Sequence, residues 1–392
     1  MKPQGLSNAI TPTLLAIALS LVLSSCSRQQ GISAKQLPDF ATNNGPLSAE
    51  QAKLQIDDNE FRALSDETLA YFKKYLLDNM HPRQIAIQLR NLIHSPAFVN
   101  FEYAEDKTYS AQQAYDKAQG NCIAYSHLYI SLARQLGLKA HYQLIDSDPT
   151  LVLRDKKISL FIHVNAVVQL NNGHSFTADT VPEQQHLIKR GQMISDNSAD
   201  ALHYNNLAID AMFKDDYLTS YRYLAKAINL DSQLSLLWSN IGALFRKNQQ
   251  LPAAELSLHN ALALDPQAYP ALNNLAVLYQ QQNNSVKTQY YLNKIKVYRA
   301  SNPYHHYNLA LLAISDEDYP QALKAIKKAI RLKSDEAEFY YQQSLIYQQL
   351  QQLVQSREAL MQAIVNSQEK KRLRAFQKQL RFLNQKMTLQ KP

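Results

Sequence analysis

Glycine and proline are scarce, at 8 and 14 of 392 residues. That scarcity argues for a helix-rich architecture and leaves no Gly-rich loop of the kind that cradles a phosphate. No cluster of histidine and cysteine has metal-ligand spacing, so neither metal nor cofactor is expected. Beyond the first segment, no run is apolar enough to span a bilayer as a helix. Cysteine occurs only twice, as Cys26 and Cys122, so each position asks for a reason. What remains is ample: 46% apolar residues allow a sizeable core, and the length suits two or three domains. The formal charge is +8, and much of the excess sits in the tail "KKRLRAFQKQLRFLNQK". Such a balance suits an anionic neighbour such as lipid headgroups or cell-wall polymer.

Cys26 closes the first segment. Lys2 precedes an apolar run from Leu14 to Leu23, interrupted only by Ser20. The run is too short to cross a membrane and fits the apolar region of an export signal. Leu23-Ser24-Ser25-Cys26 resembles a bacterial lipoprotein box, which implies a signal peptide over 1–25 and lipidation of Cys26. The alternatives are an ordinary cleaved signal or an uncleaved anchor. Ser27, where an aspartate would retain the protein at the inner membrane, implies by the usual Gram-negative pattern an outer-membrane lipoprotein, expected to face the periplasm. Nucleic acid is then not an expected partner. Removal of residues 1–25 takes away Lys2 and lowers the charge from +8 to +7. Residues 26–46 lack periodicity and are predicted to be a flexible tether. Cys122 becomes the sole thiol of the mature chain. In an oxidising compartment an unpaired cysteine is either reactive or inertly buried.

Residues 47–195 mix helix and strand. Ser48 with Gln51 forms a capping-box pattern, Ser65 precedes "DETLAYFKKYLL" as an N-cap, and "PRQIAIQLRNLIHSP" has helical periodicity. In "QGNCIAYSHLYISLARQLGLKAHY", Tyr125, Leu128, Leu132 and Leu136 share a helical face, and Gly137 ends the helix. Cys122 opens it. "LKAHYQLI", "SLFIHVNAVVQL" and "HSFTADTV" read as strands, the last two joined at Asn171-Asn172-Gly173.

From residue 196 to 370 the strands stop and a 34-residue repeat begins. Tyr204, Trp238, Leu272, His306 and Tyr340 occupy one repeat position. Small residues follow four positions on, at Ala208, Gly242, Ala276, Ala310 and Ser344, and again at Ser220, Ala254, Thr288, Ala322 and Ser356. Leu224, Leu258, Leu292, Ile326 and Leu360 supply a bulky position, followed by Ala227, Ala261, Ile295, Ala329 and Ala363. Five units result: 201–234, 235–268, 269–302, 303–336 and 337–370. The pattern resembles tetratricopeptide repeats, in which small residues let paired helices approach and large ones fill the space between units. The resemblance implies a superhelix with a concave groove, lined here by Asn205, Asn273, Tyr307 and Tyr341 together with Arg246 and Gln280. An amide- and tyrosine-rich lining suits an extended peptide or protein partner. In the tail, residues 371–392, Leu373, Phe376, Leu380 and Leu383 share a face. That fits a capping helix over an open repeat end, with a basic helix on a membrane surface as the rival reading.

A catalytic cysteine needs a base, oriented in turn by a carboxylate or amide. His127, His141, His163, His174 and His186 follow Cys122. His163 is best placed, because Asp179 lies on the returning strand. A three-residue turn at 171–173 sets Asn165 opposite Asp179 and makes His163 its diagonal neighbour on the same face, at about 7 Å. A two-residue turn would put Asp179 on the wrong face.

The order of "GNC" helix, "HVN" strand and "AD" strand resembles the transglutaminase-like, papain-related superfamily, over roughly residues 100–185. Bacterial members with C-terminal tetratricopeptide repeats share "GNC…A…LARQLGL" and "HVN". The resemblance implies an α+β transglutaminase-like domain followed by an all-α tetratricopeptide superhelix. It further implies Cys122 as nucleophile, His163 as base and later acid, and Asp179 as orienting partner, with Asn165 in possible support. Many active relatives carry proline after the aspartate, where this chain has Thr180. The expected activity is hydrolysis or acyl transfer at protein or peptide amides. The alternative is a non-catalytic scaffold or assembly lipoprotein that uses the same fold for docking.

Overall fold

The computed structural model describes residues 31–57, 60–76, 79–145, 150–154, 157–161, 163–180, 191–367 and 370–389. The proposed signal peptide, Cys26 and His186 lie outside them.

The chain first runs through a short hairpin, β1 (Phe40–Thr42) and β2 (Gly45–Leu47), into helix α1 (Ala49–Lys53), which opens with the expected Ser48–Gln51 capping box. Residues 31–46 are not the predicted free tether. Ile32, Leu37 and Phe40 are buried in one core with residues of the helical repeats, as are Ala52 and Phe61. Phe40 stacks on Tyr221 with ring centroids 4.9 Å apart. The Tyr221 hydroxyl donates to the Pro38 carbonyl at 2.8 Å, and Gln250 bonds the backbone of both Asp39 and Ala41. The reason is apolar burial. Three irregularly spaced hydrophobes find a complementary face far away in sequence, and the backbone between them is satisfied by repeat side chains.

The mixed domain follows. Helices α2 (Asp66–Lys73) and α3 (Pro82–His94) carry the Ser65 N-cap and an N-terminal proline, both favourable starts. Strand β3 (Glu102–Tyr103), helix α4 (Ala111–Asp116) and strand β4 (Gln119–Gly120) lead into helix α5 (Cys122–Gln135). Then come β5 (Lys139–Ile145), β6 (Thr150–Arg154), β7 (Lys157–Phe161), β8 (Val164–Gln169), β9 (Ser175–Ala178) and β10 (Gly191–Ile194). Four of these form an antiparallel sheet in the order β10-β5-β8-β9, while β6 and β7 pair as a separate hairpin. Helix α5 packs on this sheet and is buried nearly all round. The run "SLFIHVNAVVQL" is thus not one strand. It is divided between β7 and β8, with His163 at the break. His163 keeps one ladder contact, its carbonyl accepting from Ile145 N–H at 2.9 Å.

The domain is bolted to the first repeat helix, α6 (Asp196–Phe213). Arg134 of α5 makes a two-pronged bond to Asp196 at 2.7 and 2.9 Å, and Arg62 makes another to Asp200 at 2.5 and 2.9 Å.

The repeats continue as α7 (Tyr217–Leu230), α8 (Ser235–Lys247), α9 (Leu251–Leu264), α10 (Tyr269–Gln281), α11 (Ser285–Ser301), α12 (Pro303–Ser315), α13 (Tyr319–Leu332), α14 (Ala337–Gln349) and α15 (Leu353–Asn366). With α6 they make five helical hairpins. Each hairpin turns through one left-handed residue: Asp215, Gln249, Asn283, Glu317 and Gln351, at φ 54–60°. Those residues are spaced by the same 34 positions. Small residues carry out their expected role: a Cβ on Gly242 would lie 2.6 Å from Leu258 Cγ. Unit three departs from the pattern. Leu292, expected in the core, is 46% exposed, while Tyr291 and Ile295 are buried. Ile295 stands where the other units have alanine, and the equivalents of Tyr291 at Ser257, Ala325 and Ala359 are buried too, so the departure lies in the exposure of Leu292. The last helix, α16 (Lys370–Leu389), caps the array: Phe376 and Leu383 are buried and Phe376 stacks on Tyr341 at 4.9 Å.

Candidate active site

The sulfur is placed by a helix start. Asn121 is the N-cap of α5: its side chain accepts from Ala124 N–H at 3.1 Å and donates to Thr108 Oγ1 at 2.8 Å. Cys122 is the first helical residue, where backbone N–H groups lack intrahelical partners and the helix dipole favours negative charge. Gly120 must be small, because a Cβ there would fall 2.7 Å from the Ala124 Cβ. Cys122 is mostly buried, with 8% of its surface exposed.

The imidazole and carboxylate are placed by the β8–β9 hairpin. Its register pairs Ala166 with Ala178, Val168 with Phe176 and Gln169 with Ser175. The turn holds three residues, Asn171–Gly173, closed by Leu170 N–H donating to the His174 carbonyl at 2.8 Å, with Gly173 at φ 74°. This is the longer turn. Continuing the register sets Asn165 opposite Asp179 and makes His163 the diagonal neighbour.

His163 Nε2 lies 2.7 Å from Asp179 Oδ2. The His163 side chain also hydrogen-bonds Cys122. Since Nε2 is engaged by the carboxylate, Nδ1 is the nitrogen left for sulfur. Burial works against a charged imidazole here, yet the hydrogen bonds to Asp179 and Cys122 and their charge outweigh it, raising the His163 pKa to about 10. For Asp179 burial pushes upward, but His163, Thr180 and Asn165 together hold its pKa below the usual carboxylate value. The Asp179 carboxylate accepts from Thr180 Oγ1 at 3.1 Å and from Asn165 Nδ2 at 3.4 Å. An imidazolium held between a carboxylate and a thiol is the arrangement that activates sulfur for nucleophilic attack.

Sequence reasoning missed a second support. His94, the last residue of α3, has Nε2 3.1 Å from the Asp179 carbonyl and 3.2 Å from the Tyr125 hydroxyl. A carbonyl only accepts, so Nε2 carries the proton. The apolar periodicity of α3 gave no hint that its terminal histidine turns toward the site. Thr180, noted above only as a departure from proline, was the other unread signal.

The remaining histidines are elsewhere. His127 is fully buried, with Nδ1 2.6 Å from the Tyr142 hydroxyl, and its pKa is driven well down, chiefly by burial. His141 is half-buried on β5 and His174 is exposed at the turn. No group of three or more His, Cys, Asp or Glu side chains could hold a metal ion among the described residues.

The six expected groove residues divide. Asn273 and Gln280 are exposed and Arg246 is half-buried. Asn205 is buried and accepts from Asn240 Nδ2 at 2.7 Å. Tyr307 is buried and stacks on Phe339 at 5.1 Å, and the cap helix takes the ring of Tyr341. These three make contacts within the array, Asn205 and Tyr307 buried and Tyr341 half-buried. In each case the partner belongs to the neighbouring unit or to the cap.

Residues 76–152 match the model of the transglutaminase-like superfamily. The matched span holds Cys122 and ends before His163. A BBSome complex member BBS4 homolog of Drosophila melanogaster is 29% identical over 126 residues, 32% of this chain and 18% of that protein's length. Among solved structures, the MamA protein is 17% identical over 43% of this chain and 91% of its own, with a TM-score of 0.24. YrrB, described as a TPR protein with an unusual peptide-binding site, is 15% identical over 46% of this chain and 92% of its own, at 0.24. PilF of Pseudomonas aeruginosa is 15% identical over 50% of this chain and all of its own, at 0.26. The family match gives a transglutaminase-like domain within a region of mixed α and β structure, and a run of helical hairpins with a 34-residue, tetratricopeptide-like spacing follows it.

Proposed function

We propose that the protein is a cysteine hydrolase or acyltransferase acting on protein or peptide amides, with its helical repeats binding the substrate or a partner. The observation that carries this reading is one imidazole bonded on one side to Asp179 and on the other to Cys122. The Cys122 thiolate attacks an amide carbonyl, forming the C–S bond. The resulting oxyanion is met by the Cys122 backbone N–H at the helix start. As the C–N bond breaks, the His163 imidazolium gives its proton to the departing amine, leaving a thioester. Water or a second amine then attacks the thioester. Neutral His163 takes the attacker's proton and Cys122 leaves as thiolate. Asp179 keeps the ring oriented and stabilises its positive form throughout. We place the enzyme at the bacterial outer membrane, held by lipid on Cys26 and facing the periplasm; the lipoprotein box and Ser27 support that placement.

A thiol-reactive probe near neutral pH tests the reading, with labelled peptides located by mass. Cys122 is expected to label much faster than a free thiol in wild type, and to lose that advantage in His163→Ala. Labelling of wild type no faster than a model thiol would leave a non-catalytic docking scaffold as the function.

A further inference from the structure

The apolar face of α16 is spent on capping: Phe376, Leu380, Leu383 and Met387 point into the last repeat core. Arg374, Lys378 and Arg381 lie on the opposite face and are exposed. Phe382 sits beside them and is 60% exposed. Over residues 370–389 the sequence holds seven Lys or Arg and no Asp or Glu. A merely solvated helix face mixes signs, because Glu and Lys one turn apart stabilise it while like charges there oppose it. Arg374 and Lys378 are such a like-charged pair, four residues apart. A face that holds self-repelling cations around an uncovered phenyl ring has the composition of a surface that meets anions next to an apolar phase.

We propose that the outer face of α16 docks on an anionic phospholipid surface. Arg374, Lys378 and Arg381 would engage headgroup phosphates, with Phe382 dipping to the headgroup–acyl boundary. A soluble polyanion would satisfy the cations but offer nothing to Phe382, so the exposed ring selects lipid. Docking here tethers the far end of the repeat array, independently of any lipid on the N-terminal segment and of any chemistry at Cys122.

The test is cosedimentation of the full chain with vesicles of phosphatidylcholine alone and of phosphatidylcholine with phosphatidylglycerol, at low and high salt. Wild type is expected to prefer the anionic vesicles and to lose that preference at high salt. The triple variant Arg374→Gln/Lys378→Gln/Arg381→Gln should lose about a hundredfold of that preferential binding. Phe382→Ser should weaken binding to anionic vesicles while leaving retention on heparin unchanged. All four positions are exposed, so melting curves should match wild type. Any binding from the N-terminal segment is common to every variant. Three results would each overturn the proposal. One is equal wild-type binding to both vesicle types. Another is an equal loss in the charge-matched variant Lys324→Gln/Lys327→Gln/Arg331→Gln of α13. The third is Phe382→Ser binding anionic vesicles as wild type does, which would make the face a general polyanion site.

Discussion

His163 and Asp179 meet diagonally across the β8–β9 hairpin, Nε2 to Oδ2 at 2.7 Å. The bond holds the ring in one orientation and favours its charged form. In Asp179→Asn the ring should lose one of the two partners that raise its pKa to about 10. Acyl transfer needs the imidazolium to protonate the departing amine, so the alkaline limb of activity should move to lower pH. The rate at neutral pH should fall by about 10²–10⁴-fold, the usual worth of positioned acid–base catalysis. A pH–rate profile of both proteins checks this, and an unshifted limb would separate Asp179 from the titration.

The same pair should write itself into stability. His163 is raised in the folded state from 6.5 to about 10. Its contribution is therefore fully present below 6.5 and lost as pH rises through 10. Asp179 is lowered from 3.8, so its contribution is present above that value and lost as pH falls through the folded pKa. Urea midpoints of wild type and His163→Gln should differ most between the ordinary Asp and His values. The difference should shrink toward pH 10 and again in acid.

Turn length sets which face Asp179 occupies. Deleting Asn172 leaves a two-residue connection between β8 and β9, and a one-residue slip turns every following side chain to the other face. The deletion variant should keep its far-ultraviolet spectrum yet label Cys122 no faster than His163→Ala does. Retained rapid labelling would mean that the strand re-registers to rescue Asp179.

Some of this was legible in the residues and some was not. Cys122 and Gly137 mark both ends of α5, and Asn171-Asn172-Gly173 marks the turn, because helix-end and turn chemistry are local, though the Asn121 cap went unread. The five hairpins were readable from small and bulky positions 34 apart. Their left-handed turn residues were not, since Asp215, Gln249 and Glu317 carry none of glycine's signature. The break at His163 is hidden in a continuous apolar run. The clasp of residues 31–46 was invisible for another reason: Tyr221 meets Pro38 across 183 positions, and no local pattern encodes such a partner. Asn205 and Tyr307 read as groove lining because the same residue types serve both a groove and a helix–helix contact. Only packing tells the two apart.

Unit three makes a contrast within one repeat position. Leu258 is fully buried, whereas Leu292 is 46% exposed. Leu258→Ala should cost about 2–5 kcal/mol, as core truncations do. Leu292→Ala should stay within about 0.5 kcal/mol of wild type, and Ile295→Ala should again be costly. Denaturant midpoints of the three variants check the order. A costly Leu292→Ala would restore the regular repeat packing that the sequence alone predicts.

Phe40 decides whether the N-terminal segment is a tether or part of the fold. It is 3% exposed, stacks on Tyr221 at 4.9 Å and lies 6.1 Å from the Phe245 ring. Removing its ring empties a space bounded by residues of two repeats, so Phe40→Ala should cost about 3–5 kcal/mol. The loss should appear as weakened hydrogen-exchange protection in α7 and α8, which the clasp covers, while α14 and α15 at the far end stay protected. A loose tether would show neither effect, because truncating a solvated side chain changes nothing it touches. Protection lost only in residues 31–46 would mean that the clasp rests on the repeats without stabilising them.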